Sequence, residues 1–147
     1  MAELLAPFHV ETAYYDVQNI TTRLPAAAKD FAALLQWADI VSCHCSFDGK
    51  NAAPLIGPQE LKSMQRGSWL INVGRGGIVD EAALLGALRE GHLAGAALDV
   101  FGKEPYTGPL ADLEQVILTP HIGSYAQEAR TEMELEAVEN LLKGLRI

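Results

Sequence analysis

Short continuous apolar runs alternate with segments of helical periodicity along this 147-residue chain. Val10 to Tyr15 reads as a strand and is followed by a loop and the amphipathic stretch Ala26 to Trp37. Asp39 to Ser46 is a second strand. Pro58 to Gln65 predicts a short helix, with Pro58 at its start and Gly67 beyond its end, where each residue is favoured. Ser68 to Val73 is a third strand. Asp80 then caps a helix whose Leu84, Leu85 and Leu88 form one apolar face, and Gly91 terminates it. Gly95 to Phe101 and Gln115 to Thr119 complete five strands, and a final amphipathic helix spans Tyr125 to Leu142.

Strands that alternate with helices and read as nearly continuous apolar runs predict a parallel sheet covered on both faces. The fold class is therefore α/β, a doubly wound parallel sheet. The sequence shows no repeat, low-complexity segment or clear linker, and its length suits one domain with a real core. Eleven basic residues against nineteen acidic ones leave a net charge of -8. That balance argues against nonspecific binding to nucleic acid or to an anionic membrane. No apolar stretch approaches the roughly 18–20 residues that span a bilayer. The start, MAELLAPFHVE, lacks the basic region and apolar core of a signal peptide. A cytoplasmic protein is the default expectation.

The chemistry concentrates after the apolar runs. Gly74-Arg75-Gly76-Gly77 follows the strand Ser68 to Val73, and open α/β sheets bind small molecules at the carboxyl ends of their strands. A guanidinium there can clasp a carboxylate through two parallel hydrogen bonds, and the flanking glycines let a ligand approach the backbone. Glu104-Pro105 and Pro120-His121-Ile122-Gly123 also follow apolar runs. An arginine, an acid and a histidine on three strand ends suit the reduction of a keto acid. Asp16 ends the first visible strand, where dinucleotide-binding folds use an acid to hold the ribose hydroxyls. Such an acid lies about 20 residues beyond a glycine-rich phosphate loop, yet no GxGxxG occurs in the chain. Cys43 and Cys45 flank His44, but two thiols and one imidazole cannot close a tetrahedral metal site. Residues i and i+2 of a strand share a face, so both thiols are expected to point into packing. No metal is expected. His9, His44 and His92 read as structural or exposed.

Four stretches resemble the D-isomer-specific 2-hydroxyacid dehydrogenases: Ala38 to Ser42, Leu70 to Glu81, Gly95 to Phe101 and Leu118 to Gly123. The overall impression is closest to the phosphoglycerate dehydrogenase-like branch. The resemblance implies a Rossmann-like domain that uses NAD and a small 2-hydroxy or 2-oxo acid substrate. Arg75 would bind the substrate carboxylate, and His121 would act as general acid in reduction and base in oxidation. Glu104 would hold the His121 ring and favour its protonated form. Asp99 would contact the nicotinamide end, Gly123 would also bind the cofactor, and Cys45, with the backbone at Val73 and Gly74, would line the cofactor cleft. The family also implies a homo-oligomer, a dimer, and a second domain for the substrate.

On that reading residues 1–147 are a partial dinucleotide-binding domain without its first strand, glycine loop or substrate domain, and inactive alone. In the strand order 3-2-1-4-5-6 the absent strand is central, leaving Val10–Tyr15 and Ser68–Val73 with unpaired edges. The competing reading is a degenerate, non-catalytic module serving in oligomerisation. A metal-dependent hydrolase lacks any ligand cluster.

Overall fold

The computed structural model describes residues 1–18, 20, 26–46 and 53–145 and divides its strands between two parallel sheets. Helix α1 (Ala2–Leu5) precedes a two-stranded sheet of β1 (Ala13–Tyr14) and β2 (Ala27–Ala28). Helix α2 (Phe31–Trp37) leads to β3 (Ile40–Cys43), α3 (Pro58–Ser63) to β4 (Trp69–Asn72), and α4 (Glu81–Arg89) to β5 (Gly95–Leu98). A 3₁₀ turn at Pro109–Asp112 leads to β6 (Val116–Leu118), and α5 (Gln127–Leu145) follows. The larger sheet has the order β3-β4-β5-β6, every neighbour parallel. The domain is Rossmann-like, as expected.

Local chemistry sets the helix boundaries. The Asp80 carboxylate accepts the Ala82 and Ala83 amides at 3.0 and 2.9 Å, and Asp30 does the same for Ala32 and Ala33 at 3.1 and 3.4 Å. Each such cap contributes about 1 kcal/mol by satisfying amides that have no partner in the first turn. Gly91, at φ 64°, adopts the left-handed backbone that ends α4.

Strand alternation builds the core. Val41 and Cys43, Leu70 and Asn72, and Ala96 and Leu98 are buried beside Leu61 of α3 and Leu84 and Leu88 of α4. Burying a leucine of this kind contributes about 1.5–3 kcal/mol. The intervening positions form the opposite face. There Ile40, Trp69 and Ile117 are 60%, 42% and 63% exposed, so in the described residues the core lies on one side of the sheet. Helix α5, though helical as expected, buries no residue.

Several boundaries differ from the reading of the pattern. The first strand is Ala13–Tyr14 rather than Val10 to Tyr15, and β2 interrupts the stretch taken as one amphipathic segment, so α2 starts at Phe31. The expected free edge on Ser68–Val73 is also corrected. Strand β4 is paired on both sides, because β3 and β5 flank it, and the unpaired edge belongs to β3. Among the described residues no helix is long and apolar enough to cross a membrane.

Candidate active site

The Arg75 turn is held from within. Asn72, the last residue of β4, is 2% exposed and lies in the buried register of the strand. Its Nδ2 donates to the Arg75 carbonyl at 3.1 Å, and its Oδ1 accepts the Gly74 amide at 3.1 Å. A buried amide with both ends used holds a turn in one conformation. Arg75 is exposed and its Nη1 donates to the Gly74 carbonyl at 2.8 Å.

The glycines around Arg75 serve the packing and backbone of the protein itself. A β-carbon on Gly74 would come within 2.7 Å of the Cys45 carbonyl oxygen and 2.9 Å of Ile78 Cδ1. One on Gly76 would overlap the Phe101 carbonyl and lie 2.9 Å from the Gly102 nitrogen. Gly77 is needed for its backbone, at φ 85°. The missing side chains therefore let the Arg75 turn pack directly on the loop that follows β5.

That loop carries the acid. Glu81 Oε1 accepts the Gly102 amide at 2.8 Å and ties the loop to the start of α4. Glu104 Oε1 accepts the Phe101 amide at 3.0 Å, and its Oε2 accepts from His121 Nδ1 at 3.0 Å. The His121 hydrogen bond, followed by that of Phe101, holds the Glu104 carboxyl below its ordinary range. With Nδ1 facing a carboxylate, Nε2 is the ring nitrogen left to exchange a proton. His121 has φ 56°, a left-handed backbone that is uncommon outside glycine. A conformation of that kind persists only where its surroundings enforce it, and it is concentrated at functional sites.

Asp99 supplies the enforcement. It is 8% exposed; its Oδ1 accepts the Thr119 hydroxyl and the Ile122 amide, the latter at 2.9 Å, and its Oδ2 accepts the Gly123 amide at 3.1 Å. Burial raises its carboxyl, but the Thr119 hydroxyl, the two amides and the nearby His121 outweigh burial and hold it below its ordinary range. The Asp99 amide also donates to the Asn72 carbonyl at 3.0 Å. A continuous set of bonds and packing contacts thus joins the ends of β4, β5 and β6.

Arg75, Glu104, His121, Asp99, Gly123 and Gly74 are therefore brought into one cluster of strand ends, with Val73 exposed beside them. Cys45 meets this cluster through its backbone at Gly74. Its side chain is exposed while Cys43 is buried, because β3 stops at Cys43 and the alternation that would turn both thiols inward ends with it. Burial, and then the neighbouring Cys45, push the Cys43 thiol up to about 12. Asp16 lies apart, after β1, exposed, with its Oδ1 accepting the Gln18 amide at 2.8 Å. His44 contacts Ser42 and His92 contacts the Met64 carbonyl, both structural. Pattern reading missed Asn72, Glu81 and Thr119. Only Asn72 carried a signal, as a polar residue in the buried register of an apolar strand.

The donor set fits two parts of a nicotinamide dinucleotide. An exposed carboxylate after β1 suits a ribose diol, and the exposed Val73 and Gly123 strand ends suit the nicotinamide end. A glycine-rich cradle for the pyrophosphate is absent from the sequence.

Comparison with known proteins agrees with this geometry. Residues 1–123 match the family described as D-isomer specific 2-hydroxyacid dehydrogenase, NAD binding domain. The chain is 40% identical over 151 residues to a glyoxylate reductase of Thermofilum pendens, covering 99% of this chain and 44% of that protein. It is 39% identical over 140 residues to the D-3-phosphoglycerate dehydrogenase of Escherichia coli K12, covering 88% of this chain and 33% of that protein. A D-isomer specific 2-hydroxyacid dehydrogenase from Lactobacillus delbrueckii ssp. bulgaricus, solved in its NAD complexed form, superposes with a TM-score of 0.83 at 30% identity. That match covers 97% of this chain and 48% of the other. The chain spans less than half the length of each of these relatives.

Proposed function

The chain belongs to the NAD-binding domain family of the D-isomer specific 2-hydroxyacid dehydrogenases, and from that premise we propose that it serves hydride transfer between NAD and a small D-2-hydroxy acid or its 2-oxo acid. Residues 1–147 are on this reading part of a dinucleotide-binding domain that acts with a substrate-binding domain, in a homo-oligomer. The observation that carries the proposal is the His121–Glu104 pair at 3.0 Å, with Glu104 on a loop whose Phe101 and Gly102 pack against the turn that bears Arg75.

Bound NAD supplies or accepts the hydride. The chain's own residues do the rest. Arg75 leaves its contact with the Gly74 carbonyl to clasp the substrate carboxylate, and so orients the neighbouring carbonyl. His121 Nε2 gives its proton to the carbonyl oxygen as that oxygen gains charge, and takes it back in oxidation. Glu104 fixes the ring through Nδ1 and stabilises the imidazolium. Asp99 holds the His121 and Gly123 loop in place. Val73, Gly74 and Cys45 line the nicotinamide side, and Asp16 receives the ribose hydroxyls.

A chimera tests this, with this chain replacing the matched region of the Thermofilum pendens reductase. NADH oxidation is then followed with glyoxylate. We expect turnover, a preference for NAD over NADP because the Asp16 carboxylate repels a 2′-phosphate, and a loss of roughly 10²–10⁴ in kcat for His121→Ala. Arg75→Ala should chiefly lower kcat/KM. A His121→Ala chimera that turns over at the parent rate would sink the assignment.

A further inference from the structure

On the reading of Glu104 and His121 as the pair that moves the proton, we propose that Tyr106 is a positioning residue: stacked on Phe101, it closes the base of the Glu104 loop and so sets the carboxylate against His121. Phe101 and Tyr106 stand at the two ends of residues 102–105. Their rings lie 4.5 Å apart between centroids, with 23° between planes. A stacked pair favours one relative placement of its rings, beyond the area it buries. Phe101 is 7% exposed within the core cluster, and Tyr106 packs against the same cluster. The carboxylate is bonded back to this base. Glu104 Oε1 accepts the Phe101 amide at 3.0 Å, which leaves Oε2 to accept from His121 Nδ1. A shift of Phe101 is therefore felt on both oxygens.

Burial of the loop itself does not supply this hold. Residues 102–105 are all exposed. A cavity of about 490 Å³ opens beside them, between Pro105 and Tyr106 on one side and Leu118 and Pro120 on the other. A segment with so few buried contacts keeps one conformation only where its ends are fixed.

Tyr106 is itself anchored. Its phenol oxygen accepts the Leu110 amide at 3.2 Å, and Leu110 is 0% exposed in the 3₁₀ turn of Pro109–Asp112. Gly108 supplies the room. A β-carbon there would overlap the phenol oxygen and lie 2.5 Å from Cζ and 2.9 Å from Cε2 of Tyr106. Gly108 has φ -89° and ψ 177°, a backbone open to any residue, so its missing side chain serves the phenol. A line of contacts thus runs from the buried Leu110 through Tyr106 and Phe101 to Glu104, and ends on His121.

The test follows the Glu104 side-chain carboxyl carbon by NMR against pH in the full chain, with Glu104→Gln to assign its signal. In the parent, Glu104 should titrate below its ordinary 4.5. Tyr106→Ala should move that titration up towards 4.5 and speed hydrogen exchange at the Phe101 amide roughly three- to tenfold. Tyr106→Phe keeps the stack and gives up only the bond to Leu110, so it should restore both values to those of the parent. His121 lowers the Glu104 carboxyl and Asp99 raises it, and none of these substitutions alters either residue. Parent values in Tyr106→Ala would overturn the proposal, as would a Tyr106→Phe chain that behaves like Tyr106→Ala. Should Tyr106→Ala fail to fold, Gly108→Ala, which displaces the phenol and keeps the ring, decides by the same two measurements. Neither measurement needs turnover. A fully active His121→Ala chimera would refute the proposed reaction and leave the shifted Glu104 titration as it stands.

Discussion

Gly76→Ala is the sharpest mechanical test of the candidate site, because the added methyl group meets backbone on the far side. An alanine β-carbon would overlap the Phe101 carbonyl and lie 2.9 Å from the Gly102 nitrogen. Neither neighbour is a flexible side chain, so the Arg75 turn and the Glu104 loop must separate. Overpacking of this kind costs about 1–3 kcal/mol. The bonds at risk agree with that scale. Separation strains the Glu81–Gly102 and Phe101–Glu104 hydrogen bonds, each with a net contribution of about 1 kcal/mol. Loss of glycine's freedom in the unfolded chain offsets about 0.4–1 kcal/mol. A net destabilisation of about 1–2 kcal/mol follows. With a urea slope of about 2 kcal/mol/M, the unfolding midpoint should fall by roughly 0.5–1 M. Gly86→Ala is the matched control. Gly86 lies inside α4 and nothing within 4 Å opposes a β-carbon there, so it should gain about 0.5–1 kcal/mol from helix propensity. Urea unfolding followed by circular dichroism measures both. A Gly76→Ala midpoint at or above that of the parent would show that the turn and the loop are not in contact, and the clustering of Arg75 with Glu104 would fall with it.

Two further outcomes follow from the titrating groups. Cys43 is buried with its thiol pushed up to about 12, while Cys45 is exposed. A thiol reagent near pH 8 should therefore label Cys45 alone in the folded chain and both cysteines in urea, and equal native rates would refute the burial of Cys43. The carboxyls of Asp99 and Glu104 lie below their ordinary 3.8 and 4.5. The unfolded chain then binds more protons in that range, so their stabilisation is complete above about pH 4.5 and is lost as pH falls through the folded values. Glu104→Gln should flatten the dependence of the urea midpoint on pH between about 3 and 5, and an unchanged slope there would remove Glu104 from that account.

The parts of this fold that could be read from residue pattern are those where a local rule and burial coincide. The runs at Ile40–Cys43, Trp69–Asn72, Gly95–Leu98 and Val116–Leu118 are short and mostly apolar, and Val41, Leu70, Ala96 and Leu98 on one face of these strands pack into the core. Arg75, Glu104 and His121 could be placed together because parallel strands deliver their carboxyl ends to one edge of the sheet, whatever the register. Close approach was not legible in the same way. Gly76 reads as room for a ligand and also leaves room for Phe101, and Asp99, read as a cofactor contact, also holds Thr119, Ile122 and Gly123 on its oxygens. Both depend on partners 20 or more residues away, which no periodicity encodes. Helix α5 marks the same boundary. Glu128, Glu132, Glu136 and Glu139 share one side, and Met133, Leu135, Val138, Leu141, Leu142 and Leu145 stay 44–60% exposed along the helix. An amphipathic pattern specifies which side of a helix resists water. It carries no information about the surface that would cover it, and no residue of α5 belongs to the packed cluster of the described residues.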